Sequence, residues 1–223
     1  NALNKAIMYL LGRKPIMCPQ VMCCAIGDCK SDKYPLQVTQ FESDIRIIRQ
    51  LTELCLEGGG GGNGGESYDL AWYFAAKRTF TDCFEKRGRK GHLITIGDDR
   101  CHGKLTRGEI QRVFGDTVSY DLSDEELIAA AEQKYNVFHI CIDRGNPGDE
   151  RIFADWRALM PGRAAAVSKN DISCLPELIY ALISVAEGRT PNEALSSVEQ
   201  RAAETAAKSL AYIDLKRSDT ITF

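Results

Sequence analysis

"GHLITIGDDRCHG", residues 91–103, sets a continuous apolar run against an abruptly polar loop. A short apolar run closed by glycine suits a strand buried on both faces, as in a parallel sheet covered by helices. In such sheets the loops that do chemistry cluster where the strands end, so "GDDRCHG" is a candidate functional loop.

The same pattern recurs on either side. "NVFHICID" (136–143) reads as a second buried strand, "RAAAVS" (163–168) as a weaker one, and "QVMCCAIG" (20–27) as another closed by Gly-Asp. "LQVTQF" (36–41) alternates apolar and polar positions, as a short edge strand does. Between them lie helical periodicities: 2–12, a helix capped by Ser43 or Asp44 with Ile47, Ile48, Leu51 and Leu54 on its apolar face, and a run from Leu70 to about Phe84. Further helices are expected at 106–113, 123–135, 173–187 and about 191–210. Ser123 with Glu126 three residues on forms a capping box. Strands alternating with amphipathic helices specify an α/β fold, a Rossmann-like open, mostly parallel sheet with helices on both faces. The expected organisation is one domain over 1–188, then a C-terminal helix and tail over 189–223.

Composition bounds the function. The 223 residues are 44% hydrophobic and 26% charged, with net charge −3, so no basic excess favours nucleic acid. No apolar run approaches the roughly 20 residues that span a bilayer. The nine cysteines show no C-x-x-C spacing and several sit in apolar runs, which points to small buried hydrophobes in a reducing, cytoplasmic compartment.

Between the second and third expected helices lies "GGGGGNGGES", residues 58–67. A phosphate cradle needs a strand before its glycines, and a P-loop needs a Lys, but this run follows a helix and holds no Lys. A flexible spacer joins domains, whereas this run sits inside an α/β unit. The remaining reading is a backbone that approaches a ligand site closely and delivers Glu66 and Ser67 at a helix start, where N–H groups are free.

Four ordered blocks carry a family resemblance: Gly27-Asp28, Phe41 to Ile45, the glycine loop through Glu66, and Asp98 to Gly103. Together they resemble the von Willebrand factor type A (VWA) family, closest to bacterial stand-alone members and to VWA domains attached to alpha-kinases. The resemblance runs from about residue 5 to 187. It implies a metal-ion-dependent adhesion site, in which hydroxyl and carboxylate oxygens from three loops hold Mg²⁺ and a partner's carboxylate completes the octahedron. Carried over, Glu66 or Ser67 stands for the second loop's ligand and Asp98 for the third's, with Asp99 a stand-in. The first-loop Asp-x-Ser-x-Ser occurs nowhere in these 223 residues. Residues 1–12 are accordingly expected to be the family's first helix, with the first strand supplied by an N-terminal part or by another chain. The implied function is a protein-binding adaptor or regulatory domain without catalysis, its partner an AAA+ ATPase or a kinase. The alternatives are a metal-independent scaffold of the same fold with a degenerate site, or an α/β hydrolase or nucleotide enzyme using "GDDRCHG" and the glycine loop.

Several side chains have plainer readings. Cys101 and His102 are read as a loop cysteine and a histidine that fixes the loop by hydrogen bonding, and His139 as a core histidine. Asp28 and Asp32 are read as turn residues. On the helix after the glycines, Phe74 is the expected core residue and Trp72 or Tyr73 the exposed partner anchor.

Overall fold

The computed structural model describes residues 2–57 and 64–215. The glycines and the asparagine at 58–63 lie outside the described residues, as does the end of the polar tail. The chain is mixed α/β and divides into two compact units: unit I comprises Asn1–Pro19, Ile96–Asp98 and Phe138–Phe223, and unit II comprises Gln20–Thr95 and Asp99–Val137. A three-stranded parallel sheet is built from β3 (Gly91–Gly97), β6 (Tyr135–Asp143) and β7 (Ala164–Ser168), in the order β3-β6-β7.

In unit I the parallel pairing of β6 with β7 runs from His139 opposite Ala164 to Asp143 opposite Ser168. β6 is buried along most of its length because its apolar residues do not alternate with polar ones. β7 is covered by α7 (Asp149–Leu159) and α10 (Gln200–Leu210), and Ser209 Oγ donates to the Ala166 carbonyl at 2.6 Å. α8 (Leu175–Ala186) is apolar almost all round, and α1 (Ala2–Arg13) lays Ala6, Ile7 and Leu10 against it. The single helix expected over 191–210 is two: α9 (Pro191–Leu195) and α10, both packed on α8. The break falls at the low-propensity stretch Ser196-Ser197-Val198, and the extended Glu199 restarts the helix.

Unit II departs further from expectation. The run 20–27 gives only β1 (Cys24–Ile26), half-buried and antiparallel to β2 (Leu36–Val38), with Val21 bridging Glu42. Its apolar side chains are used because β1 packs on a helix, α3 (Tyr68–Arg78), and not because helices sandwich it. β3 likewise is only half-buried at six of its seven positions, with Thr95 the buried one. α2 (Arg46–Thr52) buries Ile47, and its first turn is held by Asp44 Oδ1, which accepts from the Arg46 N–H at 3.0 Å.

α3 is enclosed by α6 (Asp124–Glu132), β1 and the small β4 (Lys104–Leu105), which pairs with β5 (Leu122–Ser123). Seven of its eleven residues are buried, so the expected facing is reversed: Trp72 and Tyr73 are interior and Phe74 is half-exposed. Tyr73 stacks on Phe114 at 4.7 Å and donates its hydroxyl to Asp116, which leaves neither aromatic as an anchor for a partner. α3 stops at Thr79, whose hydroxyl donates to the Ala75 carbonyl, and the short α4 (Asp82–Glu85) follows. α5 (Arg107–Phe114) and α6 both start on complete capping boxes, Thr106 with Glu109 and Ser123 with Glu126. Among the described residues, no helix is long and apolar enough to cross a membrane.

Candidate functional site

Three loops of unit II meet. The loop after β1 folds back on itself: Asp28 N–H donates to Asp32 Oδ2 at 2.7 Å, and Gly27 N–H to the Pro35 carbonyl. A side chain at Gly27 would lie 2.5 Å from Asp32 Oδ2 and would push that carboxylate off the Asp28 N–H. The second loop, residues 64–67, joins the first through Ser67, whose Oγ accepts from the Cys29 N–H at 2.9 Å. It joins the third loop through Glu66, whose N–H donates to the Arg100 carbonyl and which bridges Cys101 in parallel fashion.

One carboxylate ties the assembly together. Asp28 is 2% exposed and holds the Lys30 N–H, the Ser31 hydroxyl and His102 Nε2 at 2.8 Å; Ser67 Oγ lies 3.5 Å away. Bonding to a carboxylate makes Nε2 the protonated nitrogen of the neutral ring. The ring's other edge abuts Gly65, where a Cβ would sit 2.7 Å from Nδ1. Gly65 thus has a definite job: it lets the second loop pass against the His102 ring. Asp28 is no surface turn residue, and His102 does fix its loop.

Behind this seam lies a second group. Asp69 in the first turn of α3, Cys101 in the third loop and Asp124 at the first position of α6 offer ligand atoms that all lie within 4.8 Å of one another. Asp69 is 1% and Asp124 3% exposed, while Cys101 is half-buried. Asp69 Oδ1 accepts from the Leu70 N–H, and Asp124 Oδ2 from the Gly103 N–H at 3.0 Å. The Cys101 thiol beside Asp124 favours its ionised form, yet the buried Asp124 Oδ1 accepts no hydrogen bond of ordinary geometry. A buried acceptor left so costs about 1–3 kcal/mol.

Three acids crowded out of water resist ionising together. Burial, helped by the nearby Asp124 charge, pushes Asp69 up to about 8. Burial also raises Asp124 and lifts the Cys101 thiol well above its ordinary value, the neighbouring Asp69 and Asp124 charges adding to it. The Asp69 backbone N–H, a hydrogen-bond donor to the Cys101 sulfur, works the other way.

The residues implied by the family resemblance are placed differently. Ser67 is buried in the seam, its Oγ engaged by the Cys29 N–H, and Glu66 is half-buried beside it. Asp98 belongs to unit I, where its Oδ2 accepts from Arg144 Nη1 at 3.1 Å. Arg144 also pairs with Asp149, so Asp98 serves a local ion-pair network. As they stand, Ser67 Oγ and Asp98 Oδ2 each accept a hydrogen bond from a protein donor, so a Mg²⁺ ion there would have to share or displace those contacts.

Sequence reading missed the Asp69–Cys101–Asp124 group altogether. Zinc ligands are legible in sequence as closely spaced cysteine pairs, whereas this set mixes one thiol with two carboxylates spread over 56 positions. The one local hint was a cysteine inside the loop already singled out.

No family model, curated protein or solved structure matches this chain.

Proposed function

We propose that this chain is a non-catalytic protein-binding domain of the VWA type, an adaptor or regulatory module that engages its partner through the three-loop seam. The observation that carries the reading is the joining of the 27–35, 64–67 and 99–103 loops around Asp28, His102 and Ser67. One of the three follows β3 of the parallel sheet, at the edge where α/β folds place their binding surfaces, and the β1–β2 hairpin loop and the 64–67 loop join it there. The order β3-β6-β7, all parallel, accords with such a sheet. Lys30, Ser31, Lys33 and Tyr34 are exposed on the first loop, and Tyr34 under the Lys33 ammonium offers a contact of mixed apolar and cationic character. Because Ser67 and Asp98 already accept hydrogen bonds from protein donors, the metal-independent form of the reading is favoured. The partner classes implied by the resemblance, an AAA+ ATPase or a kinase, belong to the proposal. So does a cytoplasmic location, which nine free thiols support.

Affinity capture with crosslinking mass spectrometry tests this. Wild-type bait should retain a partner crosslinked at residues 28–34 and 99–103, with and without EDTA. The Lys30→Glu/Tyr34→Ala bait should lose it, and a control exchange in unit I, Glu204→Lys, should keep it. Equal retention by all three baits would sink the loop-face reading. Loss with EDTA or with Asp98→Ala would instead restore the Mg²⁺ form.

A further inference from the structure

We propose that Asp69, Cys101 and Asp124 form a Zn²⁺ site that staples the first turns of α3 and α6 to the 99–103 loop. The inference is independent of the partner-binding reading and of the residues that the family resemblance implies.

The donor set selects the metal. One thiolate among carboxylate oxygens is poor for Mg²⁺ or Ca²⁺, which take oxygen alone, and good for Zn²⁺, which takes sulfur and oxygen together. Three protein donors leave the fourth tetrahedral vertex for water. Zn–S and Zn–O bonds of about 2.3 and 2.0–2.2 Å put tetrahedral ligands about 3.3–3.7 Å apart. The ligand atoms lie within 4.8 Å of one another, so contraction by about an ångström through side-chain rotation closes the site. Two of the ligands start from fixed ground, since Asp69 and Asp124 lie in the first turns of helices of 11 and 9 residues.

The second observation is Asp124 Oδ1. A carboxylate oxygen buried on a residue 3% exposed normally has a donor; this one has none of ordinary geometry, and the side chain that does interact with this carboxylate is the Cys101 thiol, itself a member of the group. Its other oxygen is oriented by the Gly103 N–H at 3.0 Å, and the Asp124 N–H donates to the Gly103 carbonyl at 3.2 Å. That reciprocal clasp is the outer support a ligating carboxylate needs. For Cys101 the Asp69 N–H plays the same part, stabilising a thiolate at a helix start. A thiolate and two carboxylates sum to one negative charge beyond the cation, which the Gly103 and Asp69 N–H donors partly offset.

Titration of the reduced full chain with Co²⁺, a spectroscopic substitute for Zn²⁺, tests the site. Wild type should bind one equivalent and show tetrahedral ligand-field bands with a thiolate-to-metal charge-transfer band. Zn²⁺ should displace it, and a large excess of Mg²⁺ should not. Cys101→Ser should lose the charge-transfer band, while Cys55→Ser (an exposed thiol) and Asp98→Ala should retain it. Asp69→Asn and Asp124→Asn, checked for folding by circular dichroism, should weaken Zn²⁺ by about tenfold or more. Absence of the charge-transfer band in wild type, which requires no variant to fold, overturns the proposal. Its persistence in Cys101→Ser, or its loss in Asp98→Ala, overturns it equally.

Discussion

Lowering the pH from 7 to 5 should strip about 2 kcal/mol of stability through His139 alone. His139 is fully buried in β6, its ring stacked on Trp156 at 3.5 Å and 7°. Burial lowers its pKa from 6.5 to about 3. The unfolded chain therefore takes up the proton first as pH falls. The stabilising contribution is present above 6.5 and is lost progressively towards 3, the full span being about 5 kcal/mol. A protonated ring over an indole gains about 2 kcal/mol by cation–π attraction, which would raise the folded pKa by about 1.5. Even then the folded ring stays mostly neutral at pH 5, so the loss by that pH is still about 2 kcal/mol. Against a typical total of about 5–15 kcal/mol the effect is large. Urea unfolding followed by tryptophan fluorescence measures it, with His139→Phe as the reference that keeps a ring on Trp156 but cannot titrate. Wild type should lose about 2 kcal/mol more than the variant between the two pH values. Equal losses, or a His139 ring signal titrating near 6.5 by NMR, would refute the reasoning.

Two further outcomes follow from geometry. Gly65→Ala drives a methyl to 2.7 Å from His102 Nδ1 while Asp28 pins the ring from its other edge. Overpacking of that kind should cost about 1–3 kcal/mol in chemical denaturation, with the seam's backbone amides exchanging faster. Tyr73→Phe removes the hydroxyl that donates to Asp116 at 2.8 Å but keeps the stack on Phe114, so it should lower stability by about 1 kcal/mol. In wild type that phenol should ionise only near 12, raised by burial and by the Asp116 hydrogen bond and charge; ultraviolet titration reads the shift.

What the sequence determined by itself is whatever local physics decides. The capping box at Ser123 and Glu126 placed the start of α6 to the residue, because both partners lie within one turn, whereas the helix ends at Glu132, short of the expected 135. The apolar runs at 91–97, 136–143 and 163–168 became the three parallel strands, and their alternation with helical periodicity fixed the α/β class. The loop "GDDRCHG", expected as a functional loop, meets two others in the structure, and His102 fastens it by a hydrogen bond as expected. Tertiary structure decided the rest. Trp72 and Tyr73 went inside and Phe74 partly out because α3 is enclosed by α6, β1 and β4, which periodicity on one helix cannot reveal. The 20–27 run shrank to a three-residue hairpin strand because its apolar side chains found a helix to lie on. Asp69, Cys101 and Asp124 came together only through the packing of α3 and α6 across a loop, contacts with no signature in sequence spacing. Burial is what turns those three ordinary side chains into a group that a cation would satisfy.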